Sequence, residues 1–564
     1  MKKIFLLVAL SIAAINSHAQ SGFMKRNADD AFLIDRLDVL SGRLSDSLYT
    51  TLQGMPRKDV VQFVEKYLSA HEYSLTENEK YDLKLILSKN GEWTISGEGA
   101  INAKKPIRGQ LYEKKPDMLN IHKDEFDLII NPIIYYQQTA EKGNLKEILF
   151  VNTKGIEVRG NIGKRIGFYS TFTDNQERGP LNHQNYVAHY SAVPGGPTYY
   201  KDFKIGKPGI AQDYLNATGY VDLNVYKNKI TAAYGQDHFQ IGDGYRSLFL
   251  SDFGSNYTFF KLNTRFWKFN YQNLYMELTP QFKRGGDKLL SKKYATMHHL
   301  SINVTKKLNV GVFESITFGR QNFYDFSYIN PVIFLRSMEQ KNGSPDNAML
   351  GLNFKASTPF HSVVYGQVIL DEFKLAEIKA RNGWWGNKYG IQLGCKIADP
   401  FRIKNLLVQG EINMVRPFTY TFRDSVANYT HYNQVLAHPY EANFIEANFI
   451  VSYKPFKKTY ITFKTFYNRH GRDSVNAPKT YGGNIFTSYS NLKSKYGNSL
   501  LQGYVSKVMY GNLNLSYELR NSLFLDFGLT YRSESSTTKS NPTFNSTQVY
   551  TGLRLNALRR QYDY

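Results

Sequence analysis

Cysteine is almost missing from this chain. Its one thiol, Cys395, cannot form an internal disulfide, and inside a candidate strand it reads as a packing or lipid contact. Long apolar runs are missing too. No segment after the N-terminus approaches the roughly eighteen continuous apolar residues of a spanning helix, which excludes ordinary transmembrane helices. Catalytic constellations are absent: there is no nucleophile elbow, no HExxH and no His/Cys cluster at metal spacing. The sequence therefore predicts a non-enzymatic protein with no metal or cofactor and no nucleic-acid partner. No repeat is visible beyond a rhythm of hairpins.

That rhythm is the strongest feature present. From about residue 125, strand-like segments of roughly ten residues alternate apolar and polar side chains. In Leu523 to Arg532, one face carries Leu523, Leu525, Phe527, Leu529 and Tyr531, and the other Phe524, Asp526, Gly528, Thr530 and Arg532. Successive strand side chains point to opposite faces, so one face is greasy and the other mostly polar. The pattern recurs in 513–519, 219–225 and 350–355. A single such strand also fits a soluble sandwich; the number of strands and their connections decide. About eighteen candidate strands lie between Glu125 and Arg559. Tight connections at 161–164, 226–229, 305–307, 357–360, 454–458 and 520–522 alternate with long ones at 174–214, 240–254, 281–293, 320–346, 373–388, 416–441 and 470–499. Barrels of the outer membrane keep short turns on the periplasmic side and long loops outside. The expected fold is an all-β transmembrane barrel of about 18 antiparallel strands over 125–564.

Composition agrees. The chain holds 42 Tyr and 37 Phe and is 15% aromatic, as two interfacial aromatic girdles require. Met1 to Ala19 reads as a signal peptide: Lys2 and Lys3, then an apolar stretch to Ile15, then Ser17-His18-Ala19 as the cleavage site. No cysteine follows that site, so a lipid-anchored mature end is not indicated. The expected location is the outer membrane. The formal net charge is +22, and losing Lys2 and Lys3 lowers it by two. Lys306-Lys307, Lys457-Lys458 and Arg559-Arg560 fall in predicted periplasmic turns or the tail. They suit anionic lipid headgroups or an acidic polymer equally.

Residues 20–124 form a different part. Leu33, Leu37, Leu40, Leu44 and Leu48 recur at helical spacing. A second helix is expected from Pro56, and a third from Thr76, where Thr76-x-x-Glu79 makes a capping box. Preceding the first strand, this small helical part should be periplasmic. The polar stretch from Trp93 to Asp124, with Lys104-Lys105-Pro106, reads as a linker that can enter the barrel as a plug.

Several stretches resemble one family when taken in order: Phe32-Leu33-Ile34-Asp35-Arg36-Leu37-Asp38-Val39-Leu40-Ser41-Gly42; Phe126-Asp127-Leu128-Ile129-Ile130-Asn131-Pro132; Gly242-Asp243-Gly244-Tyr245-Arg246-Ser247-Leu248-Phe249-Leu250-Ser251; Asn330 to Ser337 with Asp346-Asn347; and Leu436 to Glu446. The resemblance is to the Wzi-like capsule-assembly family of outer-membrane barrels, and within it to a Bacteroidetes gliding-motility branch, RemB-like. It covers nearly the whole mature chain. Glu441 departs from it, standing where a glycine is expected before Ala442-Asn443. The resemblance implies an eighteen-stranded barrel with a periplasmic helical part. It also implies a lectin-like role in holding capsular or other surface polysaccharide, with support of adhesion and gliding.

Candidate ligand residues lie in the long loops. Sugars stack on aromatic rings while polar side chains bond their hydroxyls. Trp384-Trp385 offers two indoles, or alternatively part of the outer aromatic girdle. Loop 320–346 offers Arg320, Tyr328, Arg336 and Glu339, and its apolar core Ile329 to Leu335 is expected to fold into the lumen or cap it. Loop 240–254 offers Asp243, Tyr245 and Arg246. Arginine suits the carboxylates of acidic sugars; a lumen salt-bridge network that holds the loop down is the alternative. Arg246, Arg336, Trp384 and Trp385 are expected on one external rim. His298 and His299, adjacent on a strand, must face opposite ways. His438 near Glu446 reads as a loop-structuring bond rather than a catalytic pair. Expected partners are surface or capsular polysaccharide and outer-membrane lipid, and proteins of a gliding or secretion machinery. The rival functional classes are a diffusion porin, an accessory subunit of a secretion machine, and a hydrolase.

Overall fold

The computed structural model describes residues 22–564, apart from 27, 46–47, 53, 95–101, 104–105, 108–110, 143–147, 164, 198, 205–209, 286, 333, 475–476 and 538–542. Residues 1–19, read above as a signal peptide, and Lys104-Lys105 lie outside the described residues.

Eighteen antiparallel strands close into a barrel. They are β1 Phe126–Glu141, β2 Leu149–Ile162, β3 Ile166–Arg178, β4 Ile210–Tyr226, β5 Ile230–Asp237, β6 Tyr257–Phe266, β7 Phe269–Leu278, β8 Lys293–Asn303 and β9 Leu308–Phe318. They continue as β10 Asn347–Thr358, β11 Ser362–Glu372, β12 Lys388–Ala398, β13 Leu406–Val415, β14 Phe444–Phe456, β15 Thr459–Arg472, β16 Tyr504–Arg520, β17 Leu523–Ser536 and β18 Phe544–Leu555. Each pairs with its neighbours in sequence, and β18 closes on β1 with Leu555 opposite Ile134. No sheet edge is left open, so backbone groups pair within the wall, the condition for crossing lipid with strands.

The period-2 pattern has the polarity of a membrane barrel. On β17 and β16, Phe527, Leu529, Tyr531, Leu513 and Leu515 are exposed outside. Asp526, Thr530, Arg532, Asn514 and Ser516 are buried inside. A water-soluble sandwich would reverse this assignment. Connections of two to seven residues at one end alternate with connections at the other that span 14 to 31 residues, apart from 142–148 and 537–543. At the 227–229 turn, Lys227 and Asn228 both take positive φ, the backbone of a two-residue hairpin that matches strand twist.

Three helices pack at the short-turn end: α1 Ala31–Leu40, α2 Arg57–His71 and α3 Glu77–Ser88. Leu33, Ile34 and Leu37 meet Val60, Phe63 and Val64 of α2 and Leu83, Ile86 and Leu87 of α3. Thr76 and Glu79 complete the expected capping box. Helix α1 stops sooner than the leucine spacing suggests. Ser41 ends it, Gly42 turns left-handed, and the Leu44 amide bonds the Lys306 carbonyl at 2.8 Å. Leu48 still joins the core, but from a loop.

Buried ion pairs tie these helices to the inside of the wall. Lys355 of β10 meets Asp38 at 2.5 Å, Lys396 of β12 meets Asp35 at 2.6 Å, and Lys454 of β14 binds Asp82. Arg36 lies between Glu79 at 2.8 Å and Asp399 at 2.7 Å. In the described part of the 93–124 linker, buried Asp117 accepts from inward-facing Asn131 at 3.0 Å and meets Arg159 at 3.5 Å. The linker's strand, Leu119–Lys123, pairs with the first residues of β1.

Candidate functional site

The lumen is filled by chain that re-enters it. Loop 238–256 leaves the long-loop end and descends until Gly242 N–H bonds the Thr51 carbonyl at 2.7 Å. Gly242 has a φ of 142°, and a Cβ there would meet Gln367 at 2.4 Å, so the descent needs glycine. Phe249 stacks on Phe313 at 4.6 Å. Loop 416–443 closes over it, with Tyr420 and Tyr429 hydroxyls donating to the Leu248 and Phe249 carbonyls at 2.8 and 2.7 Å. Residues 556–564 turn back from β18 into the same space.

These contacts relocate three candidates. Asp243 accepts from Thr50 and Thr51 at 3.1 and 2.6 Å and faces Lys355 at 3.4 Å. Burial would raise its pKa, but Lys355, the Thr51 and Thr50 hydroxyls and Lys396 together outweigh that and hold the carboxyl below the usual range. Tyr245 donates its backbone N–H to Glu411 at 2.8 Å, and its hydroxyl bonds Gln561 at 2.8 Å and Asp563. Arg246 is buried between Glu446 at 3.6 Å and Asp563 at 3.8 Å. Burial would lower its pKa, yet Glu446 and Asp563 hold it above the ordinary value. Arg246 is therefore not on the rim. Its surroundings are the lumen salt-bridge network, the alternative weighed for this loop.

His438 belongs to the same network. Its Nε2 lies 2.8 Å from Glu446 Oε2, and neither side chain reaches solvent. Arg559-Arg560 is also inside rather than in a periplasmic tail. Arg560 meets Glu177 at 3.1 Å, and Arg559 meets Asp29 at 3.4 Å.

Loop 319–346 takes the opposite course. Leu274, Met276, Phe313 and Ser315 point into the barrel, so Asn273, Tyr275 and Glu314 point out. The loop bonds these outward groups. Asn273 and Tyr275 donate to the Pro331 and Ile329 carbonyls at 3.0 Å. Glu314 accepts from Phe334 and Leu335 N–H at 2.6 and 2.8 Å. Outward His298 pairs with Glu314 at 3.0 Å, while inward His299 bonds Asn353 at 2.8 Å. The expected entry of this loop into the lumen is thus corrected. It drapes over the outer wall, because β7–β9 carry polar groups there that would otherwise face lipid unpaired.

Within this loop Arg320 grips Asp346 with two bonds, at 2.7 and 2.5 Å, and meets Asp325 at 3.2 Å. The Tyr328 hydroxyl donates to the same Asp346 at 2.6 Å. Both therefore anchor the loop. Arg336 sits on the short helix α4 Leu335–Lys341, half exposed, and reaches buried Glu339 at 2.9 Å. Trp384 and Trp385 follow the short helix α5 Leu375–Lys379, with ring centroids 6.0 Å apart. Trp385 packs on Tyr489 at 4.6 Å and Phe418 at 6.0 Å. Loop 373–387 is docked on loop 473–503, with Trp385 N–H on the Lys495 carbonyl at 3.0 Å.

Arg336 and Trp384 meet in one cleft of about 520 Å³ on the outer side of β9–β11, bounded also by Leu350, Leu370, Phe373 and Lys374. The sequence reading brought these two together but missed Phe373 and Lys374. The available signal was an apolar residue followed by a cation just beyond the end of a strand.

No family model matches the sequence, and no curated protein sequence matches it. Among solved structures, Wzi of Escherichia coli aligns with a TM-score of 0.55 at 12% identity, over 96% of this chain and 100% of that one. It is an outer-membrane protein involved in group 1 capsule assembly, described as a carbohydrate-binding β-barrel. The outer membrane protein OprD of Pseudomonas aeruginosa aligns at 0.40 and 11% identity, over 78% of this chain and 96% of that one. What the Wzi alignment shows in common is the fold, an outer-membrane β-barrel.

Proposed function

We propose that this chain is an outer-membrane barrel that holds capsular or other surface polysaccharide at the cell exterior and catalyses no reaction. The long loops face outside and the helices lie in the periplasm. The observation that carries this reading is the group of adjacent indoles and half-exposed cations at the long-loop end of the wall, beside a lumen that the protein itself fills. Trp384 and Trp385 supply stacking faces. Arg336, steered by buried Glu339, supplies a fork for the acid groups of a sugar. The described binding of carbohydrate by Wzi supports the reading, as do the Wzi-like stretches of the sequence. The RemB-like features extend it to adhesion and gliding.

Glycan binding by purified protein tests it. Trp384→Ala and Trp385→Ala should each weaken binding by about 1 kcal/mol. Arg336→Ala should weaken it too and flatten its salt dependence. Heat-modifiable gel mobility reports folding. Unchanged binding in all three folded variants contradicts the assignment.

A further inference from the structure

We propose that the cleft between loops 319–346 and 373–387 binds one lipid of the surrounding membrane that carries a phosphate and a net negative charge. An acyl chain would lie on the wall, with the phosphate between Arg336 and Lys374. The proposal goes beyond the glycan reading, although it shares Arg336 and Trp384 with it.

The floor of the cleft is lipid-facing strand. Ala348, Leu350 and Leu370 belong to the outward set of β10 and β11, and Leu350 stands opposite Leu370. The track continues downward through Leu352 opposite Val368, both exposed. Leu350 and Leu370 lie three and two residues inside their strand ends. At the rise of a strand that is about 7–10 Å, the upper part of an apolar band about 25 Å tall. Acyl chains of the outer leaflet occupy this depth.

The walls separate this place from the rest of the lipid-facing surface. On one side α4 stands on Ile316 through Leu335. On the other stands the segment from Phe373 to Trp384. Both walls are apolar toward the membrane: Phe326, Val332 and Phe334 are exposed on the first, Phe373, Leu375 and Ile378 on the second. Irregular backbone does not persist bare at this depth, so something must cover it.

Each wall carries one cation at the mouth. Arg336 is 50% exposed and pairs with Glu339 of its own short helix; Lys374 is 59% exposed, pairs with Glu377 and lies 5.6 Å from the centre of the Trp384 ring. Exposed pairs of this kind are weak, and a phosphate can displace one partner. Charge at the mouth and apolar floor below match an anionic lipid in order and in depth. A second copy of the chain would bring the same cations against themselves.

Native mass spectrometry of the full chain in detergent tests this, with phosphatidylglycerol and phosphatidylcholine as probes. One phosphatidylglycerol should stay bound where phosphatidylcholine leaves. The Arg336→Ala/Lys374→Ala pair should weaken retention roughly tenfold. Ala348→Phe should also weaken it, by filling the apolar floor with both cations intact. If the double variant does not fold, Ala348→Phe decides. Equal retention of the two lipids overturns the proposal, as does wild-type retention in the folded variants. Displacement by inorganic phosphate alone, or a lipid-free dimer closing the cleft, overturns it as well. No glycan is present, so failure here leaves the glycan reading standing.

Discussion

Glu441 occupies a left-handed backbone position, with φ of 62°, where the family resemblance leads one to expect glycine. Its side chain offsets the strain. The carboxylate accepts from the Tyr190 hydroxyl and from Ile485 N–H at 2.9 Å, joining three long loops. Burial pushes this carboxyl up from 4.5 to about 7, against the opposing pull of those bonds. A raised acid holds its proton better in the folded protein. The stability it lends is therefore complete below pH 4.5 and is lost as pH rises through about 7. Limited proteolysis of loop 473–503 should accelerate across that window, and Glu441→Gln should flatten the profile. A pH-independent cleavage rate in the parent protein would contradict this. A sequence shows only that glycine is missing at such a position; the two compensating bonds come from residues 251 and 44 positions away.

At the scale of elements, the helices depend on charge as well as on packing. Arg36 bridges α3 and the β12–β13 turn through Glu79 and Asp399, all three nearly buried. Arg36→Ala leaves two carboxylates facing each other, a cost of about 3–5 kcal/mol. The expected outcome is early proteolytic release of residues 22–93 while the barrel keeps its heat-modifiable mobility. Release at the parental rate would mean that apolar packing alone holds the helices. The strands and turns were legible because lipid outside and polar lumen inside impose a strict period of two, and because connection lengths alternate. The paths of the long loops were not. A loop that dives into the lumen and one that drapes outside use the same aromatic and charged residues. What separates them is which wall groups lack partners: Gln367 and Glu411 inside, Asn273 and Glu314 outside. That is a property of register. For the same reason Arg246 and Arg336 looked alike in sequence, although one is buried among carboxylates and the other lines an open cleft.

For the whole molecule, three separate segments and a helical cap fill what would otherwise be a pore. In planar bilayers the purified protein should pass little current. Asp243→Ala, which removes the side-chain contacts of Thr50, Thr51 and Lys355 with loop 238–256, should raise the frequency of brief openings. Large steady currents from the parent protein would favour the diffusion-channel alternative. The central claim concerns what the rim holds, and it is tested most directly on cells. Surface polysaccharide retained by a deletion strain is measured after complementation with the parent gene or with Trp385→Ala or Arg336→Ala, at matched outer-membrane levels. The parent should restore cell-bound polysaccharide, while the variants leave it shed into the medium. Full retention in the deletion strain, or in both variants, would contradict the account.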